Sequence, residues 1–182
     1  MEVSQCWREA QLSSTNDRQK VGAREWEKPN AGWFKVNVDA AVFQDNSIGC
    51  GAVIRDEQGM FRGAMCKKME GAWRPKEAEA IALKEALSWI IELQYERCVF
   101  ETDSKAVVQA CKKAPDQSFF GTIVDDCVHL SKHVNQVLIQ FAFRSANKVA
   151  HELARATYSM SDKGEWYATP PDFISHVLEL DI

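Results

Sequence analysis

The chain has no run approaching the roughly 20 apolar residues of a membrane helix. From Met1 to Lys28 no apolar stretch of signal-peptide length occurs either, so no membrane partner is expected. The six cysteines (Cys6, Cys50, Cys66, Cys98, Cys111 and Cys127) include no Cys-x-x-Cys pair. Free thiols in a reducing, intracellular compartment are therefore expected, rather than a disulfide framework or a zinc site, with nucleus and cytoplasm equally open. Basic charge is not in excess: the net charge is −4. Any nucleic-acid contact must then be local, through patches or metal, because counterion release depends on cations placed at phosphates. A Gly-rich phosphate loop and a Gly-x-Ser-x-Gly elbow are both missing, which leaves nucleotide-hydrolase and serine-hydrolase readings without support. No internal repeat is present.

What remains is the composition of a soluble globular domain: 182 residues, 46% hydrophobic and 26% charged. Residues 1–30 are polar and aperiodic and read as a leader or linker without fixed structure, leaving 31–182 as the domain. Phe34, Val36 and Val38 alternate with Lys35, Asn37 and Asp39, the period of a two-faced strand. Gly49 to Arg55 and Met60 to Met69 give two more strands around the turn Asp56-Glu57-Gln58-Gly59. Pro75 sits where a first helical turn tolerates it, and Lys76 to Leu93 is a long helix. Cys98 to Thr102 is a strand. Ser104 to Lys113 is a helix that Pro115 helps to end, and Phe120, Ile123, Cys127, Leu130 and Val134 mark another. Val137, Ile139, Phe141 and Phe143 alternate as a fifth strand, and Asn147 to Thr157 is a last helix before an irregular tail. The expected fold is α/β: a mixed five-stranded sheet, its first three strands antiparallel, flanked by helices.

Three carboxylates occupy positions that a core normally refuses. Asp39 interrupts the apolar stretch Val36 to Phe43. Asp103 follows a strand at its C-terminal end, where α/β sheets place ligand-binding groups. Glu79 falls on the stripe of Ala82, Leu83, Ala86, Leu87, Ile90 and Leu93, in the first turn of a buried helical face, whereas Glu77 and Glu85 point away as solvated residues. Burying an isolated carboxylate costs several kcal/mol unless it is paired or metal-bound. The competing reading of Glu79 is a residue at the core's edge that reaches water and gains from the helix dipole.

Four segments carry a family resemblance: Gly32-Trp33-Phe34-Lys35-Val36-Asn37-Val38-Asp39-Ala40-Ala41, Ala78-Glu79-Ala80-Ile81-Ala82-Leu83, Glu101-Thr102-Asp103-Ser104, and Asn147-Lys148-Val149-Ala150-His151-Glu152-Leu153-Ala154-Arg155. In order and placement they resemble the ribonuclease H-like superfamily, most closely the plant domains related to the ribonuclease H region of non-LTR retrotransposons. The tail from Trp166 to Asp181, with Pro170-Pro171, is similar to that plant group as well. The resemblance implies that Asp39, Glu79 and Asp103 meet and hold Mg²⁺ or Mn²⁺. It implies two-metal hydrolysis of the RNA strand of an RNA–DNA hybrid by a monomeric endonuclease, with RNA told apart by its 2′-hydroxyls. Ala40, Arg74, Ser104 and Asn147 would contact the nucleic acid. The alternative is a module derived from a retroelement that binds nucleic acid and has lost turnover.

The chain departs from the family pattern at several places. His151 stands where a fourth carboxylate is usual. It is grouped with the catalytic residues, as a ligand for a softer ion, an acid–base group or a solvent-facing side chain. No histidine occurs in the short stretch Arg144 to Ala146. Ala40 replaces a common Gly, and Arg74-Pro75-Lys76 replaces paired asparagines. Outside the motifs, His129 and His133 read as a solvated face. Arg62, Lys67, Lys68 and Arg74 form either a phosphate contact or a solubilising edge. Trp73 is open between base stacking and core-edge packing, and Trp89 reads as packing.

Overall fold

Phe34–Val42 forms β1, and its two faces separate as the alternation dictates. Val36 and Val38 enter the main core, and Lys35, Asn37 and Asp39 lie on the opposite face, buried as well. The structure is a computed structural model that describes residues 22–114, 116–161 and 163–180. Cys6, Pro115 and the expected leader through residue 21 lie outside the described residues.

Strands β2 (Ser47–Arg55) and β3 (Phe61–Glu70) complete an antiparallel meander with β1. The Asp56 carboxylate fixes its second turn by accepting from the amides of Gln58 (2.9 Å) and Met60 (2.8 Å), and Gly59 supplies the positive φ of 87°. Strands β4 (Arg97–Thr102) and β5 (Gln136–Phe141) add in parallel on the other side of β1. The sheet has six strands, in the order β5-β4-β1-β2-β3-β6, not the expected five. The sixth, β6 (Gly164–Trp166), is too short to show a period and exists only because it pairs with Ala64–Cys66 of β3. Phe143 falls outside β5 and leads into a 3-10 turn at Arg144–Ala146.

On one face of the sheet lie α1 (Pro75–Glu92), α2 (Lys105–Cys111) and α3 (Phe119–Ser131), which share the main core with Val36, Val38, Ile48 and Ile54. The other face carries α4 (Lys148–Ala156) and α5 (Asp172–Leu180), around Val53, Ala64, Val149, Leu153, Ile174 and Leu178. The tail expected to be irregular thus supplies a strand and a helix. Gly49 and Gly51 decide how closely α4 approaches: a Cβ at Gly49 would run into the Ala154 carbonyl oxygen, and one at Gly51 would stand 2.6 Å from that of Ala150. That close seat brings His151, on the next residue, over β1.

From Gly22 onward the expected leader packs on the domain. Ala23 bridges Ala142, and Trp26 is 8% exposed. The five described cysteines are buried and unpaired.

Candidate metal and nucleic-acid site

Three separate elements deliver the acids. Asp39 lies near the end of β1, paired in register with Gly51 of β2. Val38 pairs with Thr102 of β4, so Asp103 leaves β4 directly beside Asp39. Ser104 then caps α2, its Oγ accepting from the Val107 amide at 3.4 Å. Glu79 comes from α1 one residue beyond its expected first turn, in a helix whose start is fixed by Pro75 and by the Glu77 carboxylate accepting from the Arg74 amide at 2.9 Å. Asp39, Glu79 and Asp103 each offer a carboxylate oxygen within 4.8 Å of the others.

Such a cluster is unfavourable by itself. Burial, then the charges of Asp39 and Asp103, push the Glu79 carboxyl up to about 9. Burial and Asp103 raise Asp39 to about 6, against the opposing pull of His151. Glu79 Oε2 is buried with no hydrogen-bond partner among the described residues. An orphaned carboxylate oxygen facing two further carboxylates is the donor set of a hard divalent cation. The observed residues fit such an ion.

The histidine on α4 joins this cluster. His151 Nδ1 lies 2.7 Å from Asp39 Oδ2, and Arg144 Nη2 lies 2.9 Å from His151 Nε2 and 3.1 Å from Nδ1. A guanidinium only donates. An ionised Asp39 accepts from His151 Nδ1, while Arg144 Nη2, nearly equidistant from both ring nitrogens, lies over the imidazole ring.

Beside His151 opens a groove of about 570 Å³, lined by Ala40, Phe43, Gln44, Arg144, Arg155 and Tyr158 among others. Most other cations near the sheet are held by acids: Lys67 by Glu85 (2.7 Å), Lys68 by Asp45 (3.0 Å) and Arg62 by Asp56 (2.7 Å). Arg144 and Arg155 have no ion-pair partner among the described residues. Phe43 and Tyr158 meet across the groove at 5.1 Å between centroids, and Tyr158 is exposed. Individually, the groove residues Phe43, Arg144 and Tyr158 carry no period or spacing that singles them out in the sequence, although Arg155 stands in the α4 motif.

Other anticipated residues sort differently. Ala40 lines the groove and its amide faces Glu79. Arg74 is exposed at the start of α1. Asn147 is buried, and its Nδ2 donates to the Val38 carbonyl at 2.9 Å, which ties α4 to β1. Trp73 stacks on Phe119 at 5.7 Å and 17°, and Trp89 is buried with its indole nitrogen 3.3 Å from the Tyr167 hydroxyl. His129 and His133 are exposed and meet no third ligand among the described residues. Glu77 and Glu85 are not simply solvated: one caps a helix and the other pairs with Lys67.

Residues 37–157 match the family described as reverse transcriptase-like. A ribonuclease H-named protein of Arabidopsis thaliana is 28% identical over 158 residues, which is 86% of this chain and 25% of that protein; the chain thus spans a quarter of its length. Among solved structures, ribonuclease H1 of the halophilic archaeon Halobacterium salinarum superposes with a TM-score of 0.64 at 19% identity, over 69% of this chain and 97% of that one. LC11 ribonuclease H1, crystallised with an RNA/DNA hybrid, gives 0.59 at 18% identity, over 68% and 94%. The foamy viral protease-reverse transcriptase, also with an RNA/DNA hybrid, gives 0.56 at 14% identity, over 70% and 20%. Strand order, helix placement and the match across two thirds of its length make this chain a member of the reverse transcriptase-like family, with a ribonuclease H-like fold.

Proposed function

We propose that the chain is a divalent-cation-dependent ribonuclease that cleaves the RNA strand of RNA–DNA hybrids internally, acting as a monomer. The observation that carries this reading is the convergence of Asp39, Glu79 and Asp103 within 4.8 Å, with Glu79 Oε2 left unpartnered. The hybrids bound by two of the structural neighbours support it.

Asp39, Glu79 and Asp103 would hold Mg²⁺ or Mn²⁺. When bound, such ions supply charge neutralisation and Lewis-acid activation for an in-line phosphoryl displacement. The chain's own residues do the rest. His151 Nδ1 holds Asp39 Oδ2 at 2.7 Å and so limits the rotation of that carboxylate. Arg144 and Arg155 offer the phosphates two uncompensated cations in a groove continuous with His151, which answers the acidic net charge of the whole chain. The 2′-hydroxyl of the RNA strand is the group that separates it from DNA.

The test is cleavage of a labelled hybrid with Mg²⁺ and with Mn²⁺, wild type against Asp39→Asn. Cleavage that the substitution abolishes is expected, stronger with Mn²⁺. One observation favours a second reading, a binding module without turnover: a histidine engages Asp39 where a carboxylate is usual. Hybrid binding without cleavage under either metal would select it.

A further inference from the structure

The family match begins at residue 37, so the chain from Gly22 to Trp33 lies outside it. This segment is nevertheless fastened at both ends of a short path that leads to the acidic site. At its first end, Ala23 pairs with Ala142 and accepts from the Phe143 amide at 2.9 Å. The Ser145 hydroxyl donates to the Arg24 carbonyl, and the Arg24 guanidinium lies 5.4 Å from the Phe143 ring centroid. Phe143 and Ser145 are the two neighbours of Arg144, whose guanidinium rests on His151. Gly22 permits the approach, because a Cβ there would run into the Phe141 carbonyl.

At the other end Trp26 is the anchor. Its indole N–H donates to Asn37 Oδ1 at 2.9 Å, and the Arg55 guanidinium stacks on its ring at 3.7 Å. The Lys35 ammonium donates to the Glu27 carbonyl at 2.6 Å. Asn37 and Lys35 belong to a buried polar layer completed by Glu101, which takes Lys35 at 2.8 Å, Asn37 at 3.0 Å and Gln140 at 2.9 Å. Asn37 is two residues from Asp39 on the same face of β1. A tryptophan buried over charged and amide side chains, each of which makes at least one hydrogen bond, is a specific seat and not a chance apolar contact.

We propose that residues 22–27 form a strap that positions Arg144 against His151, and through His151 the Asp39 carboxylate. Gly22 and Trp26 are positioning residues; neither touches the reacting atoms. Arg144 has a long side chain, is exposed and has no acidic partner among the described residues. Its guanidinium contacts His151, and where that contact can form depends on the placement of the backbone at Phe143 and Ser145, which the strap holds. The consequence for turnover rests on the nuclease reading, whereas the arrangement of Arg144 and His151 does not.

The experiment compares Gly22→Val and Ser145→Ala with wild type by three readouts: thermal melting, the ¹⁵N resonances of the His151 ring in metal-free protein, and kcat on a labelled hybrid. Both variants are expected to shift the His151 ring signals with the melting temperature held within a few degrees, and to lower kcat about tenfold (~1.4 kcal/mol). Trp26→Phe, which keeps a ring under Arg55, is expected to recover most of what Trp26→Ala loses. Unchanged ring signals in the folded variants overturn the strap, and so does a kcat loss that only tracks a fall in melting temperature. If Gly22→Val does not fold, Ser145→Ala decides. Strap-dependent ring signals in a wild type that cuts no hybrid keep the strap and sink the nuclease reading; normal cleavage with strap-independent signals does the reverse.

Discussion

Replacing Glu79 with Gln should make the metal-free protein more stable, although it removes a residue of the proposed active site. Three ionised carboxylates within 4.8 Å would repel by ~3 kcal/mol per pair at an effective dielectric of about 20. Taking up a proton on a carboxyl of ordinary pKa 4.5 costs less, about 4 kcal/mol at pH 7.5 against two such repulsions, so protonation of Glu79 wins. Gln needs no proton and preserves the shape. Partial exposure of Glu79 to solvent screens the effect, and about 2 kcal/mol of it should be recovered, or ~6 °C in melting temperature for a chain of this size. The folded state holds the Glu79 and Asp39 protons more tightly than the unfolded chain does. Stability is therefore full below the ordinary carboxylate range and is lost as pH rises through about 6 for Asp39 and on towards about 9 for Glu79. The assay is thermal unfolding in EDTA at pH 4.5 and 7.5, repeated with Mg²⁺ or Mn²⁺. The advantage of the variant should vanish at pH 4.5, and wild type should gain more from metal than the variant. A variant less stable than wild type by the same amount at both pH values would refute the reasoning.

Glu101→Leu should cost about 3–5 kcal/mol by chemical denaturation, because Lys35 is left buried and unpaired, and Lys35→Met combined with Glu101→Leu should recover most of that loss. Arg155→Ala should weaken hybrid binding equally across sequences and reduce the salt slope by about one, read by fluorescence anisotropy over a salt series. His151→Asp should preserve or raise Mg²⁺-supported cleavage; complete loss would mean that the imidazole performs chemistry a carboxylate cannot.

Sequence order and periodicity by themselves determined the sheet's first five strands and the four principal helices, and they singled out the three acids as candidates, whose meeting only the family resemblance implied. Each of these is a local signal: alternation in Phe34–Val42, a 3.6-residue stripe in Pro75–Glu92, a carboxylate breaking an apolar face. Alternation also separated Lys35, Asn37 and Asp39 from Val36 and Val38, but it could not tell that the polar face is buried too. That depends on Trp26, Arg55 and Glu101, which come from three other places in the chain and satisfy one another only after the sheet is assembled. The same holds for β6 and α5, which carry too little period to stand out until β3 and the second core are there to receive them. Only the tertiary structure decided that His151 bonds Asp39, that Arg144 lies on His151 and that residues 22–27 fasten the loop carrying Arg144. The His151–Asp39 bond, across more than a hundred residues, leaves no trace in local spacing, because its geometry is set by how closely a helix can approach a sheet, and here Gly49 and Gly51 set that distance.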